Sequence, residues 1–241
     1  MNISSAIFDR SAPDLDSCPD ESLPEFAFIG RSNVGKSSLL NMLAGKERLA
    51  RVSPTPGFTK LINIFTINKT WRLVDLPGYG FAQVARKDSA RFNAAVSDYL
   101  QNRENLCCVF ALLDSGLPPQ PIDLEFVEWL VDNSLPFVLV FTKTDKVKPP
   151  VVQANIKAFT DQISQWCENL PQIFTCSATT GQGRRGLLDV VDEAIAQDQI
   201  ERESEAEKST ETDQSPSDDV AAAGGTASDR KKKRPDLTRP W

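Results

Sequence analysis

The sequence predicts an α/β fold in which a mixed, mostly parallel six-stranded sheet is flanked by helices. Three observations carry that prediction. Gly30-Arg31-Ser32-Asn33-Val34-Gly35-Lys36-Ser37 reads GxxxxGKS, directly after an apolar run and directly before a helical pattern. Strand and helix patterns then alternate to about residue 197. Two of the strand runs, 106–113 and 136–142, are continuously apolar, as strands covered on both faces should be.

Residues 1–24 are polar and punctuated by proline, and read as a lead-in segment lying over the domain. Phe26, Ala27, Phe28 and Ile29 place the first strand at 25–29, and the helix after the glycine loop spans 36–44, with no breaker before Gly45. Strands at 60–67 and 71–75 are joined by Asn68-Lys69-Thr70, a connection short enough for an antiparallel hairpin. A helix at 88–101 leads to strand 106–113. The next helix, 122–133, carries a broad apolar face given by Asp123, Leu124, Phe126, Val127, Trp129 and Leu130. Strand 136–142 precedes a helix at 151–168 opened by Pro149-Pro150, consistent with the preference for proline at helix starts. Strand 172–176 and helix 184–197 complete the domain, assigned to residues 25–197.

Residues 198–241 are charged and nearly free of large apolar side chains, so they cannot bury enough surface to fold and are expected to form a disordered tail. The tail contains Arg230-Lys231-Lys232-Lys233-Arg234, which suits either an inert solvated segment or a contact with RNA.

With 241 residues, 40 % hydrophobic and 25 % charged, the chain has the composition of a soluble globular domain with appendages. No apolar run approaches membrane-spanning length and no secretory signal is visible, so no membrane partner is expected and the cytoplasm is the expected compartment. Five cysteines without CxxC spacing argue for small buried hydrophobes rather than disulfides or zinc. The chain has no histidine, which removes Ser–His and Cys–His nucleophilic catalysis and most zinc hydrolase chemistry. The net charge of −6 is uneven. Residues 1–24 hold five acids against one base, and 198–241 hold 11 acids and 8 bases. Residues 25–197 hold 17 acids and 18 bases, so the folded part tolerates a polyanionic partner.

A tight loop between strand and helix points several backbone N–H groups into one concavity, and the helix N-terminus behind it suits a polyphosphate. Lys36 would reach the β- and γ-phosphates, the Ser37 hydroxyl would ligate Mg²⁺, and Gly35 lets phosphate approach the main chain. Asp75-Leu76-Pro77-Gly78 follows at the end of a strand, 38 residues beyond Ser37. Its acid can hold Mg²⁺ through water, and the N–H of Gly78 can contact a γ-phosphate. Thr142-Lys143-Thr144-Asp145 closes another apolar strand. The Asp145 carboxylate can accept two hydrogen bonds from guanine N1–H and the 2-amino group, a pair adenine does not present, while the Lys143 stem lies along the purine. Cys176-Ser177-Ala178 fits the loop whose backbone meets guanine O6. Ser53-Pro54-Thr55-Pro56-Gly57-Phe58-Thr59 precedes a strand, and a threonine there can complete the Mg²⁺ shell when γ-phosphate is present. Segments 46–60 and 76–87 are therefore the candidate switches, with Thr59 chosen over Thr55.

GRSNVGKSSLLN, TPGFTKLINIF, RLVDLPGYGFA and TKTDK, in this order and spacing, resemble the EngB (YihA/YsxC) family of bacterial GTPases, within the translation-factor-related (Era-like) class. The resemblance covers about residues 22–195. It implies a single P-loop, Ras-like G domain that binds GTP or GDP with Mg²⁺ and hydrolyses GTP. It further implies association with the large ribosomal subunit or its precursor, through rRNA and ribosomal proteins, and a link to cell division and septation. A monomer is expected. By the resemblance, Ser37 and Thr59 are the Mg²⁺ ligands. Residues 30–37, Gly57, Phe58, Thr59, Lys60, Leu61, 75–78, 142–145 and 176–178 line the nucleotide. Three departures stand out: Phe58 where the family usually has a basic residue, Cys176-Ser177-Ala178 in place of Phe-Ser-Ser, and the long C-terminal tail.

Hydrolysis needs a positioned water and charge stabilisation on the transferring phosphoryl group. Lys36, Thr59, Gly78 and Asn33 are the candidates for that work. In Ras-type proteins a glutamine directly after the DxxG glycine orients the water, and here that position is Tyr79, whose phenol cannot mimic a carboxamide. Slow intrinsic turnover is predicted. Asn33 occupies a position that is Asn in potassium-stimulated relatives, where it helps hold a monovalent cation such as K⁺ against the phosphates. It equally suits a plain turn role, since Asn tolerates left-handed geometry. Two other classes remain consistent with the sequence: a P-loop ATPase, and a nucleotide-gated ribosome- or RNA-binding module whose hydrolysis is incidental.

Overall fold

A computed structural model describes residues 1–20, 22–50, 61–79 and 86–212, with the side chains of 86–93 and 203–212 outside the description. The chain runs β1 (Ala6–Ala12), β2 (Glu25–Gly30), α1 (Lys36–Ala44), β3 (Ile62–Ile67), β4 (Trp71–Asp75), α2 (Arg86–Asn102), β5 (Leu106–Asp114), α3 (Pro121–Asp132), β6 (Phe137–Thr142), α4 (Pro149–Ile163), β7 (Ile173–Thr175) and α5 (Arg184–Thr212).

The strands form one seven-stranded sheet in the order β1-β3-β4-β2-β5-β6-β7. The β1/β3 and β3/β4 pairs are antiparallel, and the four other pairs are parallel. The mixed, mostly parallel sheet therefore stands, but with seven strands rather than six. The extra strand comes from the segment expected to lie over the domain. Residues 6–12 instead add an edge strand to β3, paired from Ala6↔Ile67 to Ala12↔Ile62 with an irregularity between Phe8 and Arg10. Only Ala6 and Ala12 of β1 are buried, so its sequence carries no alternating apolar signal.

The sheet divides two apolar layers, and alternation along β2 feeds both. Phe26 and Phe28 face α1 and α5, packing with Leu39, Leu40, Leu43, Leu187, Leu188 and Val191. Ala27 and Ile29 face the side covered by α2, α3 and α4, with Tyr99, Leu100, Val127, Leu130, Phe159 and Ile163. Phe28 stacks on Phe110 of β5 at 4.5 Å between ring centroids, and Phe26 meets Trp71 of β4 edge-on at 5.5 Å.

At the N-terminal end of β2, Glu25 is fully buried and accepts hydrogen bonds from Arg72, Tyr99 and Arg103. Arg103 also donates to the Pro19 carbonyl and Arg72 to that of Asp20, which fastens the lead-in segment beneath the sheet. A buried carboxylate is tolerated only with such partners. Burial pushes the Cys107 and Cys176 thiols up to about 12, the behaviour of small core hydrophobes.

Helix α5 continues to Thr212, beyond the expected boundary at 197. Past Ile195 the apolar stripe ends, and i,i+4 contacts support the helix over residues 197–202, Gln197 to Glu201 and Arg202 to Asp198. Residues 213–241, including the basic cluster, lie outside the described residues. No helix among the described residues is long and apolar enough to cross a membrane.

Candidate nucleotide-binding site

The site is assembled at the C-terminal ends of the parallel strands, where an open α/β sheet places its binding loops. β2 ends at Gly30, whose environment admits no side chain: a Cβ there would lie 2.6 Å from the Leu112 carbonyl oxygen. The loop then turns through two left-handed residues, Asn33 at φ 62° and Gly35 at φ 102°. Asn33 is exposed, and its backbone adopts the geometry of the turn reading. α1 begins at Lys36 with no side-chain cap, so its first-turn N–H groups remain available to an anion. Ser37 stands in that first turn, partly exposed.

Lys36 does not project freely. Its ammonium is ion-paired with the carboxylate of Asp75 at the end of β4, and both side chains are under 10 % exposed. Gly78 packs directly on the loop, since a Cβ on it would lie 2.6 Å from the Gly30 carbonyl oxygen and 3.4 Å from Ser32 N. Between them, Leu76 N donates to the Phe28 carbonyl and Pro77 follows, continuing the line of β4 past β2.

The base-side residues converge on the same edge. The Thr142 hydroxyl donates to the Val34 carbonyl at 2.6 Å, tying β6 to the phosphate loop. Lys143 adopts φ 61° and lays its stem beside Gly35, and its ammonium lies 2.7 Å from Asp114 Oδ2. Thr144–Lys146 forms one turn of 3₁₀ helix carrying Asp145, and Thr144 donates to the Cys176 carbonyl. The Ser177 hydroxyl bonds Asp145 and holds its carboxyl below the ordinary carboxylate range, with Lys146 adding to the effect. Ser177 is itself fully buried, and its hydroxyl oxygen accepts from Thr180 N at 3.1 Å, which shapes the 176–178 loop.

Of the residues expected at the site, 30–37, 75–78, 142–145 and 176–178 are brought together. Leu61 stands one residue ahead of β3, 40 % exposed, at the sheet end that carries Asp75. Gly57, Phe58, Thr59 and Lys60 lie outside the described residues. Arg31 belongs to the loop through its backbone alone. Its guanidinium turns away to Asp123 at the start of α3, with Nε 2.9 and 3.0 Å from the two carboxylate oxygens. Tyr79 turns the same way, donating from its hydroxyl to Asp123 Oδ1 at 3.0 Å and stacking on Phe126 at 4.5 Å. Burial raises the Asp123 carboxyl above its ordinary value, against the opposing pull of Arg31.

Two supporting residues were not foreseen, Asp114 and Asp123. Asp114 ends an apolar buried strand, the same signal that identified Asp75 and the Thr142–Asp145 element. Asp123 sits among apolar helix residues and had no local signal.

Comparison with known proteins bears on this geometry. The family described as "50S ribosome-binding GTPase" matches residues 25–143. The probable GTP-binding protein EngB of Christiangramia forsetii is 46 % identical over 192 residues, spanning 80 % of this chain and 97 % of its own. The chain belongs to the EngB family of GTP-binding proteins. A second EngB relative, from Phocaeicola vulgatus, is 47 % identical over 192 residues, 80 % of this chain and 96 % of that one. A crystal structure of a probable GTP-binding protein EngB superposes with a TM-score of 0.59 at 25 % identity, covering 72 % of this chain and 99 % of the other. Aquifex aeolicus Era bound to GDP and aluminium fluoride superposes at 0.57 with 24 % identity, covering 70 % and 56 %, and shares the fold. The chain is thus a P-loop GTPase, a nucleotide-binding enzyme of the EngB family.

Proposed function

We propose that this EngB-family GTPase is a slow, Mg²⁺-dependent switch in assembly of the large ribosomal subunit, acting in the cytoplasm and required for normal cell division and septation. The observation carrying the nucleotide part is the convergence of the glycine loop, Asp75–Gly78, Thr142–Asp145 and Cys176–Ala178 on one sheet edge. The ribosomal part draws support from the family's description as ribosome-binding.

Ser37 and the buried Asp75 carboxylate offer hard oxygen donors of the kind Mg²⁺ prefers, with Thr59 as the further proposed ligand. When bound, Mg²⁺ neutralises charge on the β- and γ-phosphates. This chain's residues supply the rest. Lys36 exchanges Asp75 for phosphate oxygens, the α1 N-terminus donates N–H groups, and Gly78 presents its N–H to the γ-phosphate. Asp145 reads guanine, held in its charged form by Ser177. Lys143 is steadied by Asp114. Neither Tyr79 nor Arg31 reaches the phosphates, because both are committed to Asp123. The slow rate follows, and an outside element completes the site. K⁺ beside Asn33 is one candidate for that element, and equal GTPase rates in K⁺ and Na⁺ buffers would remove it.

Asp145→Asn tests base recognition: GTP binding should be lost and xanthosine triphosphate binding gained. Sedimentation with ribosomal subunits, in GDP and in a non-hydrolysable GTP analogue, tests the switch. Co-sedimentation that ignores the nucleotide would refute it.

A further inference from the structure

The carboxylate of Asp123 joins two parts of the nucleotide site that are otherwise separate. From α3 it accepts from Arg31, in the loop that cradles the β-phosphate, and from Tyr79, the residue directly after Gly78. Asp123 is 4 % exposed, and Arg31 and Tyr79 lie 92 and 44 residues away in sequence. The contact therefore persists only because the fold builds it.

Tyr79 is held both by packing and by a hydrogen bond. One face of its ring stacks on Phe126, but the ring also borders a cleft of about 310 Å³ lined by Ile29, Val96, Leu100 and Trp129. Among the described residues, the hydrogen bond from its hydroxyl to Asp123 is the directional contact that sets the ring's height above the loop. Gly78 is already pressed on the Gly30–Ser32 backbone. With Tyr79 tethered, the placement of the Gly78 N–H relative to the phosphate loop is set by the same carboxylate that orients Arg31.

We propose that Asp123 is a positioning residue that discriminates GTP from GDP, by holding Gly78–Tyr79 in register with the phosphate loop through Arg31 and Tyr79. Tyr79, which stands where a catalytic glutamine would, is a tether and has no catalytic contact. The diphosphate is held by the backbone of the loop and by α1, whereas the Tyr79 hydroxyl donates to Asp123. The terminal phosphate alone needs Gly78, so loss of the tether costs the triphosphate selectively. This rests on the reading above that Gly78 meets the γ-phosphate.

The test is a set of fluorescence titrations of the full chain with GDP and with a non-hydrolysable GTP analogue, accompanied by thermal melts. Tyr79→Phe removes the one hydroxyl and keeps the ring. It should weaken the GTP analogue about tenfold while GDP stays within about twofold, the scale of one hydrogen bond to a charged acceptor. Asp123→Asn should shift the ratio in the same direction. The double variant should add little to either single one, as coupled residues do. Parallel loss of both nucleotides, an unchanged ratio or tighter analogue binding in Tyr79→Phe would overturn the proposal. Gly78→Ala separates the two levels of the argument. If it leaves the ratio intact, the reading of Gly78 fails and the proposal with it. If it shifts the ratio while Tyr79→Phe does not, only the role of Asp123 fails.

Discussion

Lys36 and Asp75, 39 positions apart, neutralise each other beside the phosphate loop, and both are nearly sealed from solvent. Each is therefore poised between a protein partner and a ligand. Lys36→Ala should lower GDP affinity by roughly 10- to 100-fold, the worth of one or two charge-assisted hydrogen bonds. It should also destabilise the nucleotide-free protein by about 3 kcal/mol, because the buried Asp75 loses its counter-charge. Isothermal titration and urea unfolding read the two effects separately.

Asp114 steadies Lys143 across the base side of the site, with its other oxygen accepting from Gly116 N at 3.0 Å. Asp114→Ala should release the Lys143 head and weaken GDP and the GTP analogue in parallel, by about tenfold. The preserved ratio is the diagnostic feature, since on the proposed reading Lys143 meets the base and not the terminal phosphate. A change confined to one nucleotide would contradict the assignment.

The Ser177–Asp145 contact has a pH signature. A depressed carboxyl pKa leaves the charged form, the one proposed to bind guanine, intact throughout the ordinary carboxylate range, and that form is lost only as pH falls through the lowered value. Ser177→Ala raises that pKa back toward 3.8, so the acid limb of GDP binding should move to higher pH. Above about pH 6 the two proteins should bind alike, because both carboxyls are ionised there. Titrations down the acid limb, with circular dichroism to show that the fold persists, check the shift.

Glu25 carries the structural counterpart. Removing its carboxylate takes the buried counter-charge from Arg72 and Arg103, which are 6 % and 3 % exposed. Glu25→Ala should cost about 3–5 kcal/mol in urea unfolding, and Glu25→Gln, which keeps the shape and one acceptor oxygen but turns an NH2 toward donors, should also destabilise, by less. Since the same arginines hold the carbonyls of Pro19 and Asp20, limited proteolysis should open residues 13–24 in the alanine variant first.

The parallel core was legible because its strands are apolar on both faces and end in chemistry: Gly30, Asp75 and Thr142 each close such a run. β1 was not, because an edge strand with five exposed residues between two buried alanines has no period to read. The far half of α5 was hidden for a related reason. A helix shows in a sequence through its apolar stripe, and beyond Ile195 that stripe gives way to side-chain pairs within residues 197–202. The candidate nucleotide loops are legible from motif order, but their supports are not. Asp114 and Asp123 act through partners 29 and 92 residues away, and such pairings exist only once the sheet has brought the loops together.

All six residues of β2 are buried, and parallel strands bond it on both sides. Its amides should be the slowest to exchange with deuterated solvent, opening only when the whole domain opens. The phosphate loop thus hangs from the most persistent segment of the protein, while the edge strand β1 can fray on its own. A cell exposed to mild heat would see this protein lose its periphery well before its grip on the diphosphate.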